Sequence, residues 1–202
     1  MKKLLFFCTF LLLAFSMQAQ DSDLLNRIKA TNSAKTSFES DLHNVFTKKG
    51  KTTEQDGKLY FIRPYQFAAV FTTGKHMIVN ETKIKMNIGL FHGTFKNKKG
   101  GMMNSLGNIF LYGFQGRIQD LADENDYSLT TKTENGYYVV TGTNNKKKLL
   151  GIGYKQVIFR YHTDSLLLKE IELTDFSGTT DIYTISNISY DVKVDESIFK
   201  VD

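Results

Sequence analysis

The chain has 202 residues, one cysteine, one proline, no tryptophan and a formal net charge of +5. So mild an excess of positive charge lacks the dense basic face of a nucleic-acid module, and a lone cysteine excludes an internal disulfide framework. The fold must be held by a core, and the length suits one domain.

The chain opens Met1-Lys2-Lys3, runs apolar from Leu4 to Phe15 and leaves that stretch through Ser16-Met17-Gln18-Ala19-Gln20. A short basic end, an apolar run and a small residue at the exit form a secretory signal peptide over residues 1–19, cleaved near Ala19. The run falls short of the ~20 apolar residues that cross a bilayer, and the abrupt change to Asp21-Ser22-Asp23 argues against a buried helix. Cys8, as the lipid-bearing first residue of a mature lipoprotein, would leave only Leu4 to Phe7 as the apolar region. Signals use ~7–15 residues there. Residues 20–202 are therefore expected to form a single exported, soluble domain without a lipid anchor. Loss of Lys2 and Lys3 lowers its net charge from +5 to +3. The clusters Lys96-Asn97-Lys98-Lys99 and Lys146-Lys147-Lys148 read as solvated loop tips.

Leu24, Leu25 and Ile28 fall at helical spacing within Asp23–Thr31, with Asp21 or Ser22 as N-cap. The period then changes to two. Phe38, Ser40, Leu42 and Asn44 alternate with Ser37, Glu39, Asp41 and His43, the pattern of a half-buried strand. Further strands are expected at Gly57–Arg63, Gln66–Thr72, His76–Asn80 and Lys83–Ile88, joined by short turns. Gly100–Arg117 carries apolar residues on one helical face, but Gly101, Gly107, Gly113 and Gly116 interrupt it, each at about 1 kcal/mol relative to Ala. It is expected to be a marginal helix that breaks near Gly113, before a short turn at Ile118–Ala122. Strands resume at Tyr127–Lys132, Tyr137–Gly142, Tyr154–Tyr161, Leu166–Thr174 and Thr179–Ile188, with a short end at Val192–Val194.

Consecutive strands with tight turns make an antiparallel sheet. The fold class is mainly β (α+β): a curved sheet or incomplete barrel of about eleven strands, with an N-terminal helix and a helical lid insert. The pattern leaves open whether the concave side is a plain core or a cavity. Leu59 and Phe61 alternate with Tyr60 and Ile62, so it also leaves open which strand face points inward.

No catalytic constellation stands out. His43, His76, His92 and His162 share no spacing and read as solvent-facing strand residues. Gly151-Ile152-Gly153-Tyr154 lacks the third glycine of a dinucleotide fingerprint and leads into a strand. Asp123, Glu124 and Asp126 cluster in a turn. No enzyme activity, metal or cofactor is expected.

The stretch Gly57-Lys58-Leu59-Tyr60-Phe61-Ile62-Arg63-Pro64-Tyr65-Gln66-Phe67 resembles the glycine, apolar alternation, Arg-Pro and following Phe of the LolA family of periplasmic outer-membrane lipoprotein carriers. Ile171-Glu172-Leu173-Thr174-Asp175-Phe176-Ser177-Gly178 is similar to that family's late hairpin. Ile185-Ser186-Asn187-Ile188, followed by Val194-Asp195-Glu196-Ser197-Ile198-Phe199, is similar to its closing pattern. Ala69 stands where the family often has tryptophan, and Asn80-Glu81-Thr82-Lys83 replaces its usual Asp-Gly-Lys turn. The resemblance implies an incomplete barrel with a lid over an apolar cavity. It also implies a cargo of acylated lipoprotein or other lipid, a releasing complex in the inner membrane and an acceptor at the outer membrane.

Candidates for the cavity are Leu59, Phe61, Phe67, Ala69 and Phe71 on the strands, the adaptable Met77, Met86, Met102 and Met103, and Leu106, Ile109 and Phe110 on the insert. Taken singly, each reads equally as core. Arg63 matches the family's lid-latching arginine; without the resemblance it is a surface arginine at a strand end. A monomer is expected, with no nucleic-acid partner. A carrier or sensor for another amphiphile, such as a glycolipid or fatty acid, and a solid-core β interaction module are the alternatives.

Overall fold

The computed structural model describes residues 22–88, 91–97, 102–145 and 153–201, with side chains except at 91 and 102–106. The expected signal peptide lies outside the described residues, as do Lys98, Lys99, Lys146, Lys147 and Lys148 of the two lysine clusters. Among the described residues no helix is long and apolar enough to cross a membrane.

A helix over 22–33 (α1) leads into β1 (Ser37–Lys48), β2 (Lys51–Ile62), β3 (Gln66–Phe71), β4 (His76–Val79), β5 (Lys83–Ile88) and β6 (Phe91–Lys96). Two helices follow, α2 (Met102–Gln115) and α3 (Ile118–Asn125). Then come β7 (Tyr127–Glu134), β8 (Tyr137–Asn144), β9 (Tyr154–His162), β10 (Leu168–Asp175), β11 (Thr180–Tyr190) and a 3-10 turn at Glu196–Phe199. The strands form one antiparallel sheet of eleven, ordered β6-β5-β4-β3-β2-β1-β11-β10-β9-β8-β7. The chain thus starts mid-sheet, runs out to the β6 edge, crosses as α2 and α3, and returns inward from the β7 edge.

The strand total agrees with expectation, but two of its members differ. β6 was not expected, because His92, Thr94 and Lys96 dilute its alternation and Gly93 (φ +126) breaks its side-chain pattern. Val192–Val194 is not a strand: β1 already pairs β2 on one side and β11 on the other, so no neighbour is free there. α2 does not break at Gly113 but runs to Gln115, and the expected turn at Ile118–Ala122 is the longer helix α3.

Leu59 and Phe61 face the concave side, each 1 % exposed. Register lays the inward residues in rows across the strands. Ile84, Val79, Phe67, Phe61 and Phe38 make one row, and Met86, Met77, Ala69, Leu59 and Ser40 the next. Gly57, Leu42 and Ile185 follow in a third. α2 lies over these rows. The Phe114 ring meets Phe38, Phe61, Phe67 and Phe110 at centroid distances of 5.3, 5.7, 5.8 and 6.1 Å. Among the described residues, the concave side beneath the C-terminal part of α2 is packed with buried apolar side chains.

The outward residues of β2–β4 are apolar for a different reason. After β11 the chain folds back over the convex face, where Val194 and Phe199 bury Ala68 among Tyr60, Ile62 and Ile78. Ser37 Oγ donates to Val192 O (2.6 Å) and Asn80 Nδ2 to Phe199 O (3.2 Å), fixing the tail along its length.

Candidate functional site

The strand candidates Leu59, Phe61, Phe67, Ala69, Phe71, Met77 and Met86 lie in one buried cluster with Ile109 and Phe110 of α2. Each belongs to the concave face or to the helix seated on it. The side chains of Met102, Met103 and Leu106 lie outside the described residues, although their backbone forms the first turns of α2. A ligand on this face must take the place that α2's side chains now occupy. A separate cleft of about 450 Å³, lined by Pro64–Gln66 and Asn80–Thr82, shares no residue with this set.

The C-terminal part of α2 is fastened to the domain. A Cβ added at Gly113 would stand 2.8 Å from the Phe159 ring, so the helix backbone rests directly on β9. The buried Tyr161 hydroxyl donates to Gly113 O (2.8 Å), and burial holds that phenol well above its ordinary pKa. Beyond the helix, Gly116 turns at φ +65° with its Cα facing the α1 backbone; a Cβ there would lie 2.6 Å from Ile28 O. Gln115 Nε2 donates to Pro64 O (2.8 Å), and Ser33 Oγ of α1 donates to Gln115 O (3.1 Å). At Gly107 the fit differs: a Cβ would meet Val79 at 3.4 Å, an ordinary contact.

Arg63 sits at the β2–β3 corner, where its backbone N–H donates to Thr36 O (2.9 Å). Its side chain is half-buried, and its Nε is buried with no hydrogen-bond partner among the described residues. Burial first, then the neighbouring Arg117 guanidinium, lower its pKa from the ordinary arginine value. In this arrangement Gln115, not Arg63, supplies the side-chain hydrogen bond that joins α2 to the corner.

Polar residues on the concave face were not among the candidates. One row beyond Leu42, Gln55, Asn44 and Tyr183 lie side by side on β2, β1 and β11. Gln55 Nε2 donates to Asn44 Oδ1 (2.9 Å), while Asn44 Nδ2 donates to Asp181 Oδ1 and to Ile182 O (3.1 Å). The Tyr183 hydroxyl donates to Asp181 Oδ2 (2.7 Å), and its ring stands edge-on to Phe110 at 4.9 Å. Burial outweighs these hydrogen bonds and raises the Asp181 pKa. The row closes one end of the apolar floor. Ser40, nearer its middle, is 2 % exposed, and its hydroxyl has no partner among the described residues. The sequence signal for Ser40 and Asn44 was their shared parity with Phe38 and Leu42.

Comparisons with known proteins agree with this architecture. The family model described as "Outer membrane lipoprotein carrier protein LolA" matches residues 29–202. No curated protein matches the chain. Among solved structures, an uncharacterized conserved protein from Thermus thermophilus is 9 % identical, with a TM-score of 0.51 over 91 % of this chain and 94 % of that one. MucB is 14 % identical, with a TM-score of 0.51 over 91 % of this chain and 63 % of MucB. A LolA superfamily protein from Nitrosomonas europaea is 8 % identical, with a TM-score of 0.42 over 89 % and 97 % of the two chains. At these identities the likeness to the first two concerns the fold alone.

Proposed function

Because the chain belongs to the LolA family of outer membrane lipoprotein carriers, we propose that it is exported to the periplasm and carries acylated lipoprotein, with the acyl chains lying on the concave face in the place of α2. The observation that supports this most is the make-up of that face. An unbroken apolar row, Ile84 to Phe38, crosses five strands beside Met77 and Met86, beneath a helix whose C-terminal part is fastened to the domain.

Acyl chains gain ~0.8 kcal/mol per CH₂ on leaving water. In a bilayer they are already out of water, so a carrier need only shield them in transit. Met77 and Met86 suit that task, since an unbranched thioether packs against irregular shapes. In this reading Arg63 is the latch. Its unpaired Nε and fork of donors engage carbonyls of the lid segment as α2 shifts, and so bias the empty protein toward closure. A releasing complex in the inner membrane and an acceptor at the outer membrane complete the route.

Native mass spectrometry of the gently purified protein tests the reading. Co-purifying acylated lipoprotein is the expected result. A protein that carries no lipid and binds no apolar dye overturns it. Arg63→Leu is expected to fold normally and to change loading or release; unchanged delivery removes the latch.

A further inference from the structure

Ser40 is the anomaly of the concave floor. It lies on β1 between Phe38 and Leu42 and opposite Leu59 of β2, all 5 % exposed or less. Buried hydroxyls in folded proteins nearly always find a partner, because an unmade hydrogen bond is expensive in an apolar setting. Ser40 Oγ has none among the described residues. The position is also irregular in the ladder. Glu39 pairs Ser189 and Asp41 pairs Ser186, so Asn187 and Ile188 together face Ser40, with Asn187 at φ +50°. Such bulges re-aim side chains and cluster beside binding sites. Asn44, the other buried polar residue of this strand face, differs: its amide is used by Asp181, Ile182 and Gln55.

We propose that Ser40 is a ligand-binding residue whose hydroxyl donates to the carbonyl of an acyl ester or amide lying on the concave floor. The assignment rests on the carrier reading above. A hydrocarbon chain needs only apolar surface, and the neighbouring rows supply it. The carbonyl joining that chain to its head group needs one donor, and Ser40 is the free donor at the centre of the floor. The hydroxyl also lets the site tell an acyl chain from an alkyl chain of equal length. The carbonyl comes from an acylated lipoprotein or from a phospholipid, which share this chemistry.

The test is displacement of an apolar fluorescent dye from the purified protein by two matched lysophosphatidylcholines, one ester-linked and one ether-linked, and by a synthetic triacylated lipopeptide. Thermal unfolding without ligand is measured in parallel. The wild type is expected to prefer the ester over the ether about fivefold, the worth of one net hydrogen bond. Ser40→Ala is expected to abolish that preference and to unfold at a temperature no lower than the wild type, because the hydroxyl it removes is unpartnered. Stronger displacement by the lipopeptide identifies lipoprotein as the source of the carbonyl; stronger displacement by the lysolipid identifies phospholipid. An ester preference that survives in Ser40→Ala, or a clear fall in its unfolding temperature, overturns the assignment alone. Failure of every probe to bind the wild type overturns both the assignment and the carrier reading.

Discussion

The two parts of α2 meet the sheet in different ways. Near its C-terminus Gly113 brings the helix backbone onto Phe159, at a distance that admits no side chain, and the Tyr161 hydroxyl caps the contact. Two turns earlier Gly107 faces Val79 and Ile84 with room for a methyl group. The same residue type therefore does opposite things in one helix. At Gly113 the missing side chain permits close packing and fixes the helix. At Gly107 it only weakens helix propensity over the methionine-bearing floor of β4 and β5.

The largest expected effect comes from Phe114, which sits over the fastened part and touches four other aromatic rings. Phe114→Ala is expected to lower stability by about 3–5 kcal/mol in urea unfolding. A loss below about 1 kcal/mol, the range of ordinary surface changes, would show that the helix is not seated as described. Next, Gly113→Ala forces a methyl group into the Phe159 ring and is expected to destabilise by about 1–3 kcal/mol. Gly107→Ala should reverse the sign, stabilising by up to about 1 kcal/mol through helix propensity. Loss of stability there would erase the contrast between the two parts.

The smallest effect is read by pH. Burial raises the Asp181 pKa, so the folded state binds that proton more readily than the unfolded chain. Its contribution is fully present below the ordinary carboxylate value and is lost as pH rises through the raised value. Asp191 is the opposite case. Hydrogen bonds from the Thr36 N–H and hydroxyl, both 2.9 Å, lower its pKa. Its contribution is present above the ordinary value and is lost as pH falls through the lowered one. Chemical unfolding on acidification should therefore show the stability of wild type rising relative to Asp181→Asn and falling relative to Asp191→Asn. Parallel trends would remove the burial assigned to Asp181.

Much of this architecture was legible because a half-buried strand writes its faces into alternate residues, as Phe38 to Asn44 do. The inward face of β2 was not legible, and the reason is physical: both faces are covered, one by α2 and the other by the C-terminal tail through Val194 and Phe199. The tail reads as a strand because Val192 and Val194 alternate, whereas the sheet order shows that β1, beside which it runs, is already paired on both sides. α2 was expected to break at Gly113 because propensity counts a glycine as a weakness, whereas here it is a contact surface for Phe159. Among the candidate site residues, the apolar ones followed from parity and resemblance. Ser40 and Asn44 share the parity of Phe38 and Leu42, but polarity on an inward face becomes informative only when its partners are known.

The sheet order has a mechanical consequence. The two strands at its open margins, β6 and β7, are also the two strands between which the chain runs as α2 and α3. The helices thus form a strap tied to both rims of an open shell. On the β7 side the tie is short, since α3 ends at Asn125 and β7 begins at Tyr127, so that helix and that rim are held together. A closed barrel could widen only by breaking ladder hydrogen bonds, whereas this shell can flex at the seam with every interstrand ladder intact.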